Sequence, residues 1–328
     1  MLKHISILIP KGHTSLVNIV GTHQIFNQVN SFYRERGKDP VFKIELVGVQ
    51  KPTHQSNGLF SVNPDKVIDD IVHTDLIIIP AIHDDPESSF VENREFVPWL
   101  IRHYRRGAEI ASLCVAAFFL ASTGLLNGRK CSTHWIQAVN FRKMFPEVDL
   151  VDDKIMTEDH GIYTSGGAYS YLNLLIYLVE KYAGREIAIL TAKTFMIDID
   201  KASQSPFIMF QGQKDHEDEL VKKAQEFIEQ QFIDRIRVDQ LAKKLALSRR
   251  TLERRFKKAT NNTITQYIQR VKIEAAKRSL ENSKENVNQV MYGVGYSDEK
   301  SFRSTFKKIT GISPVQYRNK YNREHARA

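Results

Sequence analysis

The hydrophobic period of the chain changes once, near Ala202, and this limits the fold more than any other feature. Before it, apolar, β-rich runs recur at residues 5–10, 42–49, 76–80, 110–114 and 162–165. Stretches of helical spacing lie between several of them, such as Ile25, Phe26, Val29 and Phe32, or Phe96, Trp99, Leu100 and Tyr104. Continuous apolar strands alternating with helices belong to a parallel sheet covered on both faces. After Ala202 the strands stop. Ser203-Gln204-Ser205-Pro206 and Gln211-Gly212-Gln213 read as a connection. From Asp218 onward the apolar positions repeat at 3.6 residues, in stripes such as Leu220, Ala224, Phe227 and Ile228, or Val287, Val290, Met291 and Val294. The expectation is an α/β doubly wound domain over 1–205, a linker over 206–215 and an all-α domain over 216–328.

Length and composition fit that division. The 328 residues suit two domains, and 42% hydrophobic with 26% charged residues excludes a disordered or fibrous chain. The longest apolar run, 113–121, is nine residues, too short to span a bilayer. The first ten residues read as an opening strand rather than a signal peptide. Two cysteines, Cys114 and Cys131, make no disulfide framework, so a reducing cytoplasm is the expected compartment. Charge is uneven: residues 206–328 carry 26 Lys and Arg against 15 Asp and Glu, while residues 1–205 carry 21 against 23. A basic helical half beside a near-neutral one points to a polyanion as its partner, and the pattern within it favours nucleic acid over a membrane surface.

That pattern is a tandem of two helix-turn-helix units. In the first, 238–256, Leu241, Leu245 and Leu247 close one helix and the turn, Ala242 is small where two helices must cross, and Ser248 caps the next helix. On that second helix Leu252 and Phe256 face inward, leaving Arg250, Arg254 and Lys257 on the outer face. In the second unit, 290–309, Gly295 suits the turn and Ser297 or Asp298 the cap. There Phe302, Phe306 and Ile309 point inward, and Lys300, Arg303, Ser304 and Lys307 point outward. One basic stripe alone reads equally well as a solvated helix face. Two, each behind a capped turn and a matching first helix, describe recognition helices for double-stranded DNA, where Arg binds guanine bidentately.

The run from Gly295 to Arg318, with Phe306-Lys307-Lys308-Ile309-Thr310-Gly311-Ile312-Ser313-Pro314 at its centre, resembles the signature of the AraC/XylS transcription regulators, as does the linker helix Arg270-Val271-Lys272-Ile273-Glu274-Ala275-Ala276-Lys277. The likeness covers about residues 216–321. It implies one domain placing two recognition helices in successive major grooves about 34 Å apart. A homodimer on paired sites and contact with RNA polymerase follow from the same resemblance. Met291-Tyr292 departs from it, since the family usually has a small residue there.

The most chemical spot of the first half is Ala111-Ser112-Leu113-Cys114-Val115-Ala116-Ala117, an apolar strand running straight into a helix at a cysteine flanked by small residues. A nucleophile elbow is built this way, and a helix N-terminus stabilises a thiolate. His134 follows twenty residues later as a possible base, and Asp152, Asp153, Glu158 and Asp159 are third members by position only. The plainer alternative is a small buried hydrophobe at Cys114 and a hydrogen-bonded, structural His134. Cys131 as a redox partner of Cys114 is a further alternative.

Together with Asp75-Leu76-Ile77-Ile78-Ile79-Pro80, Ser132-Thr133-His134-Trp135 and Tyr163-Thr164-Ser165-Gly166-Gly167, this elbow resembles the ThiJ/PfpI branch of the class I glutamine-amidotransferase-like superfamily over residues 1–200. The resemblance implies a flavodoxin-like fold. Combined with the helical half, the chain looks like the GlxA-type regulators. Two departures count against catalysis. Gln24, in Gly21-Thr22-His23-Gln24, stands where a Gly-Pro-x-Glu-like turn has its acid, and Pro80-Ala81-Ile82-His83 replaces a Gly-Gly oxyanion turn.

The leading expectation is a cytoplasmic DNA-binding transcription regulator whose α/β domain, with Cys114, His134 and Gln24 as a vestigial pocket, senses an unidentified small molecule. The alternatives are a cysteine hydrolase or amidase using Cys114 and His134, and a domain serving only dimerisation. No metal-ligand spacing and no phosphate loop occur in the sequence, so neither a metal nor a nucleotide cofactor is expected.

Overall fold

The structure, a computed structural model, describes residues 2–55, 58–199 and 203–322. The period change at Ala202 and the tail 323–328 of the expected helical domain lie outside the described residues. The chain divides into two compact units, Met1–Gln204 and Ser205–Ala328.

The first unit is built on a seven-stranded sheet. Its strands are β1 (Lys3–Ile9), β2 (Phe42–Gly48), β3 (Lys66–Val67), β4 (Leu76–Ile79), β5 (Glu109–Ser112), β6 (Met156–Asp159) and β7 (Ile162–Ser165), in the order β6-β7-β5-β4-β1-β2-β3. Every pairing is parallel except β6 with β7. The five apolar runs of the sequence are the five strands β1, β2, β4, β5 and β7. Two short ribbons, Thr53–Gln55 with Phe60–Val62 and Lys130–Cys131 with Asp149–Leu150, lie outside the sheet.

Side chains alternate across the sheet as strand geometry requires. Ile5, Ile7, Ile9, Leu76, Ile78 and Ala111 point to one core, formed with α1 (Leu16–Glu35), α6 (Tyr171–Ala183) and α7 (Arg185–Thr194). Leu8, Val47, Ile77, Ile79 and Ile110 point to the other. That second core is closed by α3 (Phe96–Arg105), α4 (Ala117–Ser122) and α5 (Ala138–Met144), with α2 (Pro86–Glu92) beside them. β1 and β4 lie side by side although β2 follows β1 in the chain, so the connections leave in opposite directions there. In such sheets that switch point opens a crevice at the strand carboxyl ends.

The second unit is helical: α8 (Glu219–Gln231), α9 (Val238–Lys244), α10 (Arg249–Thr260), α11 (Ile264–Asn282), α12 (Val287–Gly293), α13 (Glu299–Thr310) and α14 (Pro314–Tyr321). It has two cores. One gathers Val221, Leu241, Leu252, Phe256 and Tyr267; the other gathers Ile273, Val290, Met291, Phe302, Phe306 and Tyr317. α11 belongs to both, with Ile264 and Tyr267 in the first and Ile273, Ala276 and Leu280 in the second. Nineteen residues of one helix, roughly 28 Å at 1.5 Å each, therefore carry both halves as one body. The stretch 206–215, expected as a plain connection, is laid against α11. Phe210 packs edge-on to Tyr267 at 5.1 Å between ring centres, its N–H donates to Glu274, and Lys277 Nζ donates to the Ile208 carbonyl at 2.6 Å.

Candidate nucleic-acid interface and cysteine turn

Each helix-turn-helix is set by the same local devices. In the first, Leu247 N–H returns to the Ala242 carbonyl at 2.9 Å across a turn in which Ala246 is left-handed (φ +53°), and Ser248 Oγ accepts the Thr251 N–H. In the second, Tyr296 N–H returns to the Met291 carbonyl, Gly295 takes the left-handed position (φ +72°), and Asp298 accepts the Ser301 N–H at 2.7 Å. Asp298, not Ser297, is the cap. The units repeat at a spacing of fifty residues: Leu252, Phe256, Thr260 and Tyr267 correspond to Phe302, Phe306, Thr310 and Tyr317, all buried. Thr260 and Thr310 each donate to the carbonyl four residues back, and Thr263 and Ser313 each open the next helix in a capping box with Gln266 and Gln316. Before the turn the spacing is forty-nine: Met291, the departure from small residues, is buried and accepts the turn N–H as Ala242 does in the first unit, while Tyr292 is exposed.

Arg250, Arg254 and Lys257 on α10 and Lys300, Arg303, Ser304 and Lys307 on α13 are all exposed. Among the described residues Arg250 and Arg254 form no ion pair, whereas Arg303 Nε is held 2.7 Å from Glu299 one turn earlier. α10 has a net charge of +5 and α13 of +3. The remaining basic residues are not equivalent. Arg255 grips Asp218 with two hydrogen bonds of 2.8 and 2.6 Å, and Asp218 also caps α8. Lys272 and Lys277 turn inward to the Gly295 and Ile208 carbonyls.

In the first unit, Cys114 takes the geometry of an elbow. It directly follows the residue after β5, is left-handed (φ +57°), and its N–H donates to Ser165 Oγ at 3.0 Å. The thiol is buried, and burial pushes it up to about 11, with the Val115 N–H opposing only in part. His134 lies beside Gly167 but does not serve Cys114: among the described residues no hydrogen bond joins them, and His134 Nδ1 accepts the Ile136 N–H at 3.2 Å. Burial, then the neighbouring His83, lowers the His134 pKa. None of the four carboxylates reaches His134. Asp152 pairs with Arg142, Glu158 accepts from Tyr163 and Tyr177, Asp159 binds the Lys130 N–H and His160, and Asp153 is exposed. Cys131 is a free thiol, buried and pushed up to about 12.

Gly21–Gln24 is not a turn. α1 starts at its Ser15 cap, and the apolar stripe Ile19, Ile25, Phe26 and Val29 carries the helix through these residues, leaving Gln24 exposed. Gly21 is there because the Tyr171 hydroxyl lies 2.6 Å from where a Cβ would be. Two residues that sequence reasoning missed shape the crevice. The buried Asn18 accepts the Ala81 N–H at 3.1 Å, occupying a donor an oxyanion would need. The buried Gln204 accepts the Gly167 N–H, and its amide nitrogen shares its two N–H groups among the Thr133, Asp152 and Lys154 carbonyls. A lone amide between two serines carries no periodic signal.

Known proteins resemble both units. Residues 6–181 match the DJ-1/PfpI family, and residues 241–320 match a helix-turn-helix domain family. The HTH-type transcriptional regulator ArgR of Pseudomonas aeruginosa is 26% identical over 216 residues, 66% of this chain and 65% of that protein, so the match spans just under two thirds of that relative. The HTH-type transcriptional regulator GlxA of Rhizobium meliloti is 24% identical over 226 residues, 67% of this chain and 68% of its own. The fold of the first unit recurs in a crystal structure of a ThiJ/PfpI family protein from Pseudomonas syringae, with a TM-score of 0.51, 18% identity, and coverage of 61% of this chain and 77% of the other.

Proposed function

From the premise that the chain belongs to the DJ-1/PfpI family and carries an AraC-type helix-turn-helix domain, we propose a division of labour between its two units. The protein is a DNA-binding transcription regulator. Residues 216–328 bind double-stranded DNA and residues 1–205 sense a small molecule or hold two copies together. The observation that carries the reading is the duplicated, capped recognition helix with an exposed basic face, mounted twice on α11. Arg250 and Arg254 read base edges from α10. Arg303 does so from α13 once its pair with Glu299 is exchanged for DNA, and Lys257, Lys300, Ser304 and Lys307 hold the phosphates.

The cysteine-hydrolase alternative has no support at the turn itself. A thiol raised to about 11, a histidine engaged elsewhere and an oxyanion donor already taken by Asn18 leave Cys114 without the base or the oxyanion donor it needs. The relatives are named as transcriptional regulators, in keeping with a non-catalytic first unit.

The test is binding to a selected site against random DNA. Arg254→Ala and Arg303→Ala are expected to weaken specific binding by about 1–3 kcal/mol each and to leave random-sequence binding less affected. Equal losses on both DNAs would reduce these residues to phosphate contacts, and no loss on either would overturn the assignment.

A further inference from the structure

Resting on the reading of the first unit as a sensor, we infer that its effector site is the cavity between α2, α4 and α5, and that its ligand is a compact organic cation with an apolar body. The cavity is about 280 Å³ and is lined by neither Cys114 nor His134. That volume equals the liquid share of roughly nine water molecules, room for a metabolite of amino-acid size.

The lining has two characters. Phe90, Phe118 and Phe119 form aromatic walls, and Asp84 and Asp85 supply the charge. No lysine or arginine lines the cavity among the described residues, so an anion would meet two carboxylates with nothing to offset them. A cation is attracted both by those carboxylates and by the negative faces of the rings. His83, also in the lining, has its pKa lowered by burial and then by His13, so it adds little opposing charge. The carboxylates are already anchored: Asp84 accepts the His13 N–H, and Asp85 accepts the Ser88 N–H at 3.2 Å. Each is thus held in place with a second oxygen left for a ligand.

A separate observation points to an occupant. Ser89 also lines this cavity; the residue is only 4% exposed, and its hydroxyl, turned away from solvent, has no hydrogen-bond partner among the described residues. A buried hydroxyl without a partner is rare in folded proteins. Rotation of the Ser89 side chain about χ1 would bring this hydroxyl to a ligand that carries a polar group in addition to its charge.

The experiment titrates the full-length protein with three probes of matched shape, phenethylammonium, 2-phenylethanol and phenylacetate, followed by calorimetry and by protection of the Phe118 and Phe119 peptide from hydrogen exchange. Phenethylammonium is expected to bind saturably, about tenfold or more tighter than the alcohol, with the carboxylate weakest. Asp84→Asn and Asp85→Asn keep the acceptors that anchor the backbone, so they are expected to fold normally and to erase the preference for the cation. Absence of saturable binding by all three probes, or a preference unchanged in both variants, would overturn the site. DNA affinity measured with and without phenethylammonium separates the two readings: binding with this preference but no change on DNA keeps the site and removes the sensor role.

Discussion

Gly295 and Gly293 stand two residues apart, yet substitution by alanine is expected to act in opposite directions. Gly295 is left-handed (φ +72°), and a Cβ there would fall well inside contact distance of the Ile233 carbonyl oxygen and 2.7 Å from Lys272 Nζ. The left-handed conformation costs a non-glycine residue about 1–2 kcal/mol. Displacing a backbone carbonyl adds about 1–3 kcal/mol of overpacking, so Gly295→Ala should lose about 3 kcal/mol. Gly293 ends α12, and a Cβ there meets nothing within 4 Å. Gly293→Ala should gain about 0.5–1 kcal/mol by removing backbone entropy from the unfolded chain. Ala246, left-handed at the matching turn of the first unit, supplies a third arm: Ala246→Gly relieves about 1 kcal/mol of strain and returns most of it as unfolded-state entropy, leaving stability within about 0.5 kcal/mol. Both tryptophans, Trp99 and Trp135, lie in the α/β unit, so guanidinium unfolding followed by tryptophan fluorescence reports that unit. Helical circular dichroism also reports the other unit. Gly295→Ala should shift the dichroism transition and weaken DNA binding while leaving the fluorescence transition in place. Equal behaviour of Gly293→Ala and Gly295→Ala would refute the turn geometry on which the second recognition helix depends.

Three further outcomes follow from the first unit. Gln204→Ala leaves the Gly167 N–H and the Thr133 and Asp152 carbonyls without this partner, while the Lys154 carbonyl keeps the Ser132 hydroxyl, and should lower the fluorescence-detected stability by about 2–4 kcal/mol; a change under about 0.5 kcal/mol would show that these hydrogen bonds are replaced by water at no net loss. Cys114 alkylation should be sluggish at neutral pH and rise only near pH 11, unmoved by His134→Ala, because burial favours the thiol; fast labelling at pH 7 would restore a reactive cysteine. His103 is buried against Trp99 at 4.4 Å between ring centres and is lowered to about 4, first by burial and then by Arg102 and Arg106. The unfolded chain binds that proton below about pH 6.5 while the fold refuses it. Stability should therefore fall as pH drops from about 6.5 towards 4, and His103→Phe should flatten that slope in a denaturation series.

What the sequence made legible follows from how much apolar surface each element buries. β1, β2, β4, β5 and β7 lie inside the sheet or against two layers, so their runs are continuous and visible. β6 reads Met156-Thr157-Glu158-Asp159 at an antiparallel edge, and β3 has two residues; neither carries a hydrophobic signal. The recognition helices were legible because capping, inward aromatics and an outward basic face are all local. The fifty-residue repeat behind them was less evident: Phe256-Lys257-Lys258 and Thr260 recur as Phe306-Lys307-Lys308 and Thr310, but beyond this short run only isolated positions such as Tyr267 and Tyr317 coincide. The elbow at Cys114 was legible from its small neighbours. Its lack of a base was not, because the partners are distant in the chain: Ser165 takes the Cys114 N–H, Asn18 the Ala81 N–H and Gln204 the Gly167 N–H. Gly21–Gln24 was matched to a Gly-Pro-x-Glu-like turn through the family resemblance, whereas here the four residues lie within α1 and Gly21 makes room for the Tyr171 hydroxyl.

The central claim is that two unequal recognition helices on one rigid helix read DNA together. Selection of bound sequences from a random double-stranded library, with the full-length protein and with Arg250→Ala, tests it most directly. The expected result is two short conserved boxes about one helical turn apart, with Arg250→Ala relaxing one box and sparing the other. A single box, or enrichment without any shared sequence, would contradict it.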